Sequence, residues 1–173
     1  LTCTAETHNF PTGIAPFPGA STGVGGRIRD TQCIGRGGIP IASVAGYCVG
    51  LLDFGEDSSS GGGGNTIKTS FASAKKILIE ASNGASDYGN KFGEPIILGF
   101  TRTFGDICRK YVNLPIIYNS IKPIMFTAGI GIIRHLSKEN DISIRKQIDG
   151  DEIIYQVGGL AIPIGLGGGS SSS

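Results

Sequence analysis

The chain has 173 residues, of which 15 are basic and 14 acidic, giving a formal net charge of +1. That length suits one domain with a modest core. The lysines and arginines are dispersed rather than clustered on one stripe, which argues against nucleic-acid binding. No apolar run approaches the roughly 18 residues that a membrane span needs. We therefore expect a cytoplasmic protein with neither nucleic acid nor membrane as a partner.

Glycine is the unusual feature of the composition, at 29 residues of 173, more than double the average share of about 7%. Glycine allows positive φ angles and a close approach of backbone to a ligand. The glycine clusters therefore predict loops that handle a ligand, most often a phosphate. The four cysteines (Cys3, Cys33, Cys48 and Cys108) contain no C-x-x-C pair. We expect reduced and mostly buried thiols rather than a zinc site.

The first motif in the chain runs from Glu6 to Phe10. It places a carboxylate, a hydroxyl, an imidazole and a carboxamide in four consecutive positions, a set that contributes little to a fold. These groups suit magnesium binding and proton transfer. An unperturbed histidine titrates near pH 6.5, as a proton acceptor at neutral pH requires. His8 alone would more often be structural, but Glu6 and Asn9 beside it favour a functional role.

A glycine-rich run follows, and it predicts a loop whose backbone N–H groups face an anion. Arg29 adds positive charge, and Asp30 supplies a hard oxygen ligand for magnesium. The run is neither a Walker A loop nor a dinucleotide fingerprint. Ordinary turns with solvated charges are the alternative, but the flanking carboxylates of Glu6 and Asp30 favour a metal–phosphate site. The run consists of Gly19, Ala20, Ser21, Thr22, Gly23, Val24, Gly25, Gly26, Arg27, Ile28, Arg29 and Asp30.

The rest of the chain predicts more strands than helices. Apolar, β-branched runs predict strands at residues 40–53, 95–104, 123–133 and 153–161. An apolar stripe of helical period predicts a helix over residues 69–81, with Thr69 or Ser70 as its N-cap and Gly84 as its stop. The fold class is therefore α+β, with a mixed or antiparallel sheet covered by helices on one face. We expect one domain over residues 1–164 and a Gly/Ser-rich connection over residues 165–173.

The segment ETHNFPTGIAPFPGASTGVGGRIRDTQCIGRG resembles the signature of phosphoribosylformylglycinamidine synthase, an ATP-dependent amidotransferase of purine biosynthesis. The resemblance continues in NGASDYGNKFGEPIILGFTRTF, KPIMFTAGIGIIR and GGLAIPIGLGGGSSSS. It implies a fold like the N-terminal domain of aminoimidazole ribonucleotide synthetase, and the N-terminal part of one synthetase half-domain. Because the chain opens at Leu1 directly into this motif, we expect a piece of a longer protein.

This family converts formylglycinamide ribonucleotide, ATP and glutamine into the amidine, ADP, phosphate and glutamate. The resemblance implies that Glu6 and Asp30 bind Mg²⁺ and that His8 accepts a proton near the reacting amide. It implies that ATP lies along the run from Gly19 to Asp30. The residues that it implies for the substrate are Thr7, His8, Asn9, Phe10 and Arg29.

Three positions depart from the family pattern. Thr4 stands where a lysine is usual, Phe10 where bacterial members often carry a second histidine, and Pro163 where Asn or Gln is common. These changes lie around Glu6 and His8 and leave those two residues in place.

Several alternatives stay open at this point. The chain could be an auxiliary nucleotide-binding module without its own catalysis, although a retained His8 favours a working pocket. A small-molecule kinase of the same superfamily would not carry the ETHN motif. The resemblance also implies absent partners, namely a second synthetase half-domain and a glutaminase domain, and self-association through the sheet. The polar residues of the GASDYGNKFGEP segment are expected to shape a loop first and contact a ligand second, and Arg102 is expected in a salt bridge.

Overall fold

The computed structural model describes residues 1–35, 37–52, 70–108, 116–133, 148 and 150–160, with backbone alone at residues 106–108, 116 and 117. Helices and strands follow one another irregularly along the chain. The elements are β1 (Thr2–Thr7), α1 (Asn9–Ile14), α2 (Pro16–Gln32), β2 (Ile39–Val49), α3 (Ala74–Phe92), β3 (Ile96–Thr103), β4 (Gly105–Cys108), β5 (Ile116–Asn119) and β6 (Ile124–Ile132). None of the helices in these ranges is long and apolar enough to cross a membrane.

The main sheet has four strands in the order β1-β6-β2-β3. Strand β6 runs antiparallel to both β1 and β2, whereas β2 and β3 are parallel. A separate antiparallel pair is formed by β4 and β5. The sheet is therefore mixed, and the α+β fold class is confirmed. Three of the expected strands are present as β2, β3 and β6, each within a few residues of its expected bounds.

Helices α2 and α3 pack together on one face of the main sheet. Along β6 the burial alternates, with Met125 and Thr127 covered by the helices while Ile124 and Ile130 face the opposite side. This period of two is what a strand with one covered face requires. The hydrophobic core between helices and sheet consists of Ala20, Val24, Ile28, Ala45, Tyr47, Val49, Ala74, Ile77, Ala81, Ala85 and Met125.

The opposite side of the sheet, here called the open face, is apolar, and no helix of the described ranges covers it. Ile97 is 68% exposed and Leu98 67% exposed, although both are large aliphatic residues. Phe100 contacts Phe126 on this side, with ring centroids 6.0 Å apart. The guanidinium of Arg102 lies 6.0 Å from the Phe100 ring centroid. The salt bridge expected for Arg102 has no counterpart among the residues that the structure describes.

The expected glycine-rich loop is wrong, because residues 19–30 lie inside α2, a helix of 17 residues. Ala20, Val24 and Ile28 recur every four residues and form the buried stripe of this helix. Its glycines let other segments approach the helix closely. A Cβ built on Gly19 would lie 2.5 Å from the backbone nitrogen of Thr12, and one on Gly25 would lie 2.7 Å from the Tyr88 ring.

Helix α3 differs from the expected helix at both ends. It begins after Ser73, whose hydroxyl accepts the N–H of Lys76 as an N-cap. It passes through Gly84 and ends at Gly93, which has a positive φ of 104°. Gly84 is not a stop, because it is the contact point between α2 and α3: a Cβ there would lie 2.1 Å from the carbonyl oxygen of Phe17.

The segment GASDYGNKFGEP was expected to be a loop and is the second half of α3 with its cap. Asn90 accepts the backbone N–H of Ile96 through Oδ1 at 3.0 Å and donates to Ser86 at 2.9 Å. Glu94 is fully buried and pairs with Arg27. Both side chains therefore join α3 to its neighbours, which is a structural role.

Two further expectations differ from the structure. Residues 153–160 form no strand, and Ile154 is 94% exposed, because no described strand pairs with this segment. Cys3 and Cys33 are exposed rather than buried, and Cys48 is half-buried; all three are free thiols. The expected connection at residues 165–173 lies outside the described ranges.

Candidate functional site

His8 lies at the junction between β1 and α1, and its backbone is held at two points. Its N–H donates to the carbonyl oxygen of Met125 on β6 at 2.8 Å. Its own carbonyl oxygen accepts the hydroxyl of Thr12, which is completely buried. The position of His8 is therefore fixed by the neighbouring strand on one side and by the first turns of α1 on the other.

The imidazole ring of His8 is oriented by α2. Nδ1 lies 2.6 Å from the carbonyl oxygen of Gly19. A carbonyl oxygen can only accept a hydrogen bond, so Nδ1 must carry the proton. In the neutral ring Nε2 then holds the free lone pair. None of the residues in the described ranges hydrogen-bonds to Nε2.

Glycine makes this approach of His8 to α2 possible. A Cβ built on Gly23 would lie 2.8 Å from the His8 Cβ and 3.0 Å from the sulfur of Met125. Gly19 is one helical turn earlier on the same side of α2, against the backbone of Pro11 and Thr12. The two glycines form a groove on α2, here called the glycine groove, in which His8 and the start of α1 lie.

The other residues of the ETHN motif surround His8 on the surface. Glu6 and Thr7 are exposed at the end of β1, and Oε1 of Glu6 accepts the N–H of Thr7 at 2.9 Å. Asn9 Oδ1 accepts the backbone N–H of Met125 at 3.1 Å. The side-chain NH₂ of Asn9 has no hydrogen-bond partner in the described part of the chain. Phe10 packs edge-on against Phe71, with ring centroids 5.6 Å apart.

The residues expected along the nucleotide divide into two groups. Backbone N–H groups of α2 are engaged in helical bonds from Gly19 onward, and Pro16 and Pro18 have no N–H. The helix therefore does not present the row of free N–H groups that the sequence predicts. Its exposed or half-buried members are Ser21, Thr22, Gly25, Gly26, Arg29 and Asp30, and its buried members are Gly19, Ala20, Gly23, Val24, Arg27 and Ile28.

Asp30 and Glu6 lie on adjacent elements, because α2 runs back along β1. Gly19 and Gly23 of α2 contact His8, which follows the end of β1. Farther along α2, Arg27 Nη1 donates to the Thr4 hydroxyl of β1 at 3.4 Å. Both carboxylates are exposed. Within the described ranges no three or more His, Cys, Asp or Glu side chains are grouped as a metal site.

Arg27 was expected at the nucleotide and lies in the interior instead. Its guanidinium pairs with Glu94, and both side chains are fully buried. Burial lowers the pKa of Arg27 below its usual value, and the Asp30 carboxylate opposes that shift. Arg27 therefore links α2 to the end of α3, whereas Arg29 is the arginine of this motif that reaches solvent.

Sequence reasoning missed three groups that hold His8: the Gly19 carbonyl, the Thr12 hydroxyl and the Met125 backbone. Main-chain partners carry no residue-type signal. The repeat of small residues at positions 19 and 23, together with prolines at the start of the run, is nevertheless typical of a closely packed helix. That pattern could have indicated α2.

No family model matches the chain. Sequences of individual proteins match it over nearly its whole length. The phosphoribosylformylglycinamidine synthase of Dictyostelium discoideum is 51% identical over 173 residues, covering 98% of this chain and 12% of that protein. Over nearly its whole length the chain is similar to one segment of phosphoribosylformylglycinamidine synthases. The Homo sapiens synthase is 49% identical over 180 residues, and a probable chloroplastic/mitochondrial synthase of Arabidopsis thaliana is 50% identical over 181 residues. The chain spans about an eighth of the length of these curated relatives.

Solved structures resemble the chain more weakly. Thermotoga maritima PurL complexed with FGAR has a TM-score of 0.46 at 24% identity, over 73% of this chain and 15% of the PurL chain. A hydrogenase maturation protein HypE also has a TM-score of 0.46, at 18% identity, over 79% of this chain and 34% of the HypE chain. Both TM-scores lie below 0.5.

Proposed function

We propose that this chain forms part of the synthetase active site of a phosphoribosylformylglycinamidine synthase. The complete enzyme would convert formylglycinamide ribonucleotide, ATP and glutamine-derived ammonia into formylglycinamidine ribonucleotide, ADP and phosphate, as a ligase of purine biosynthesis. The observation that carries this proposal is the match of 98% of the chain, at 51% identity, to a synthase of that name. As the N-terminal part of one half-domain, the segment alone would be inactive.

His8 would act as the proton acceptor. When ATP phosphorylates the amide oxygen of the substrate, the amide nitrogen must lose its proton as the carbon–nitrogen double bond forms. The lone pair on His8 Nε2 would take that proton. Ammonia would then attack the same carbon, and phosphate would leave. A positioned general base of this kind contributes typically 10²- to 10⁴-fold to a rate.

The groups around His8 suit an amide substrate. The free amide NH₂ of Asn9 would donate to an oxygen, while Thr7 and Phe10 would line the substrate and exposed Arg29 would meet its phosphate. The twelve residues from Gly19 to Asp30 were expected along ATP. In the helical form of that run, ATP would contact its exposed side chains rather than its backbone.

Glu6 and Asp30 would hold the Mg²⁺ that accompanies ATP. The donor chemistry fits: both groups are exposed carboxylates, and Glu6 uses one oxygen to fix its own position, which leaves the other available. Magnesium commonly takes one or two protein carboxylates and completes its shell with phosphate oxygens and water. The ion would neutralise charge during phosphoryl transfer.

The open face would be the contact with a second synthetase half-domain or, for the isolated chain, with a second copy. Its exposed aliphatic and aromatic side chains support this proposal. Cys3, Ala42, Val44, Ile97, Ala128 and Ile130 line a shallow apolar depression of about 180 Å³ there. The glutaminase domain, the domain bounds at residues 1–164 and 165–173, and the cytoplasmic location stay predictions.

The experiment that tests this function is turnover by the full-length protein. We expect His8→Ala to lose at least about 100-fold in kcat with ammonia as well as with glutamine as nitrogen donor. Calorimetric titration with ATP, with and without Mg²⁺, would compare the unchanged protein with Asp30→Ala. Normal turnover by both variants would contradict the proposal. Full turnover with lost ATP binding in Asp30→Ala would indicate an auxiliary nucleotide site.

A further inference from the structure

We infer that Gly19 is a positioning residue for His8: its carbonyl fixes the imidazole as the Nδ1–H tautomer, and the glycine groove allows His8 to reach it. This inference rests on the proposed function of His8 as a proton acceptor. The proposed function does not explain why Gly19 and Gly23 of the glycine-rich run are glycines, and this inference gives them a role. They position a side chain from another element instead of binding a phosphate through their own N–H groups.

The first step is the hydrogen bond itself. His8 Nδ1 lies 2.6 Å from the Gly19 oxygen, a short distance for an N–H···O bond. Because the acceptor is a carbonyl, the bond forms only when Nδ1 carries the proton. In the other neutral tautomer, two lone pairs would face each other at this distance. The tautomer that leaves Nε2 free as a base is therefore the one that the fold selects.

The second step is the rigidity of the acceptor. Gly19 is a buried residue of α2, and its N–H donates to the Ala15 carbonyl at 2.8 Å, so its peptide groups are held by the helix. The His8 backbone is held independently by Met125 and Thr12. Both ends of the Nδ1 hydrogen bond are thus fixed before any ligand binds, as preorganised catalysis requires.

The third step is the space that glycine provides. A side chain on Gly19 would meet backbone atoms of Pro11 and Thr12 at 2.5–2.6 Å, and these cannot rotate away. A side chain on Gly23 would meet the His8 Cβ at 2.8 Å. Any larger residue at either position would push α1 and His8 away from α2. The hydrogen bond would lengthen, and Nε2 would move with the ring.

The decisive experiment compares two amide substitutions of His8 in the full-length protein. Asparagine carries its amide near the position of Nδ1 and can still donate to the Gly19 carbonyl, whereas the glutamine amide reaches the position of Nε2. We expect His8→Asn to keep the melting temperature of the unchanged protein and His8→Gln to lower it. Both should lose turnover about 100-fold or more, because neither has a basic nitrogen.

The second variant is Gly19→Ala, with Gly38→Ala as its matched control. An alanine at position 38 would also press on backbone, 2.3 Å from the Thr31 oxygen, but at the far end of α2 from His8. We expect Gly19→Ala to lower kcat about 10- to 100-fold and to leave KM within about twofold. Gly38→Ala should lose stability without that selective loss of kcat.

The possible failures are distinguishable. If His8→Asn and His8→Gln both turn over normally, the proposed function fails, whatever their stabilities. If both lose turnover but melt at the same temperature, the Nδ1 bond contributes nothing and the inference about Gly19 is overturned while the function stands. An unchanged kcat in folded Gly19→Ala would overturn it as well.

Discussion

Arg27 of α2 and Glu94 at the end of α3 form an ion pair in which both side chains are completely buried. The guanidinium passes under β6 at Gly129, where a Cβ would lie 2.1 Å from Nη1. Arg27 Nε and Glu94 Oε1 have no hydrogen-bond partner among the residues that the structure describes. A buried pair of this kind joins the two helices, but each charge depends on the other, because water cannot replace a lost partner.

Breaking this pair should therefore cost far more than breaking a surface pair. We expect Glu94→Ala to lower the free energy of unfolding by about 3–5 kcal/mol, since it leaves the Arg27 charge buried alone. Asp87→Ala is the control, because Asp87 forms an exposed pair with Lys91 one turn away on α3, worth roughly 0.3–0.5 kcal/mol. Denaturant unfolding measures both. Equal losses would contradict the interior role of Arg27.

The contact between Gly84 and Phe17 gives a second prediction. Gly84→Ala would place a Cβ 2.1 Å from the Phe17 oxygen and force α2 and α3 apart, at a cost of about 1–3 kcal/mol. Gly26→Ala is the matched control, because its Cβ would meet nothing nearer than the end of the Arg29 side chain at 3.9 Å. That change should stabilise by up to about 1 kcal/mol, as alanine is the better helix former. Thermal unfolding of the two variants shows whether each glycine is needed for close packing of α2 and α3 or only lowers helix propensity.

Tyr47 gives a prediction for alkaline pH. Burial raises its pKa to about 12, whereas an exposed tyrosine in the unfolded chain has a pKa near 10. The folded state thus keeps the phenol proton while the unfolded state loses it. The stability that Tyr47 contributes is complete below about pH 10 and is lost as the pH rises to about 12.

Tyr47→Phe removes this titration. It should cost about 1 kcal/mol at pH 8, through loss of the 3.3 Å hydrogen bond to the Ala81 carbonyl. Between pH 10 and 12 the unchanged protein should lose on the order of 1 kcal/mol per pH unit relative to the variant. Urea unfolding of both proteins at pH 8, 10 and 11 gives the comparison. Parallel losses in the two proteins would mean that Tyr47 is not buried as a neutral phenol.

Three of the four strands of the main sheet were predictable from sequence, whereas strand β1 and helix α2 were not, and for α2 the reason is physical. Strands β2, β3 and β6 consist of apolar and β-branched runs whose local preference agrees with their final structure. In α2 the local preference disagrees, because each glycine in a helix costs about 1 kcal/mol relative to alanine. Contacts with His8, Thr12 and Tyr88 offset that cost, and a single sequence does not record them.

The candidate site, too, was predictable from sequence only in part. The resemblance named His8, and the structure adds its tautomer and its partners, which are backbone atoms and therefore silent in a residue pattern. The same glycines that misled the secondary-structure prediction are the ones that admit His8 to α2. Arg27 was expected along the nucleotide, and Glu94 in a loop that it would shape first and only second use to contact a ligand. Their pairing joins residues 67 positions apart and depends on the fold.

The open face gives the last prediction, on association. Leu98 is 67% exposed there, beside other exposed apolar residues of β3 and β6. A large exposed apolar patch of this kind favours contact with another protein surface. We expect the isolated chain to self-associate with rising concentration and Leu98→Lys to weaken this association at least tenfold. Ile79→Lys is the control, because Ile79 is 53% exposed on α3, on the covered side of the sheet. Sedimentation velocity over a concentration series measures the association. Equal loss of association in both variants would mean that added charge, and not the open face, controls it. A monomer at all concentrations would contradict a contact between copies through the open face.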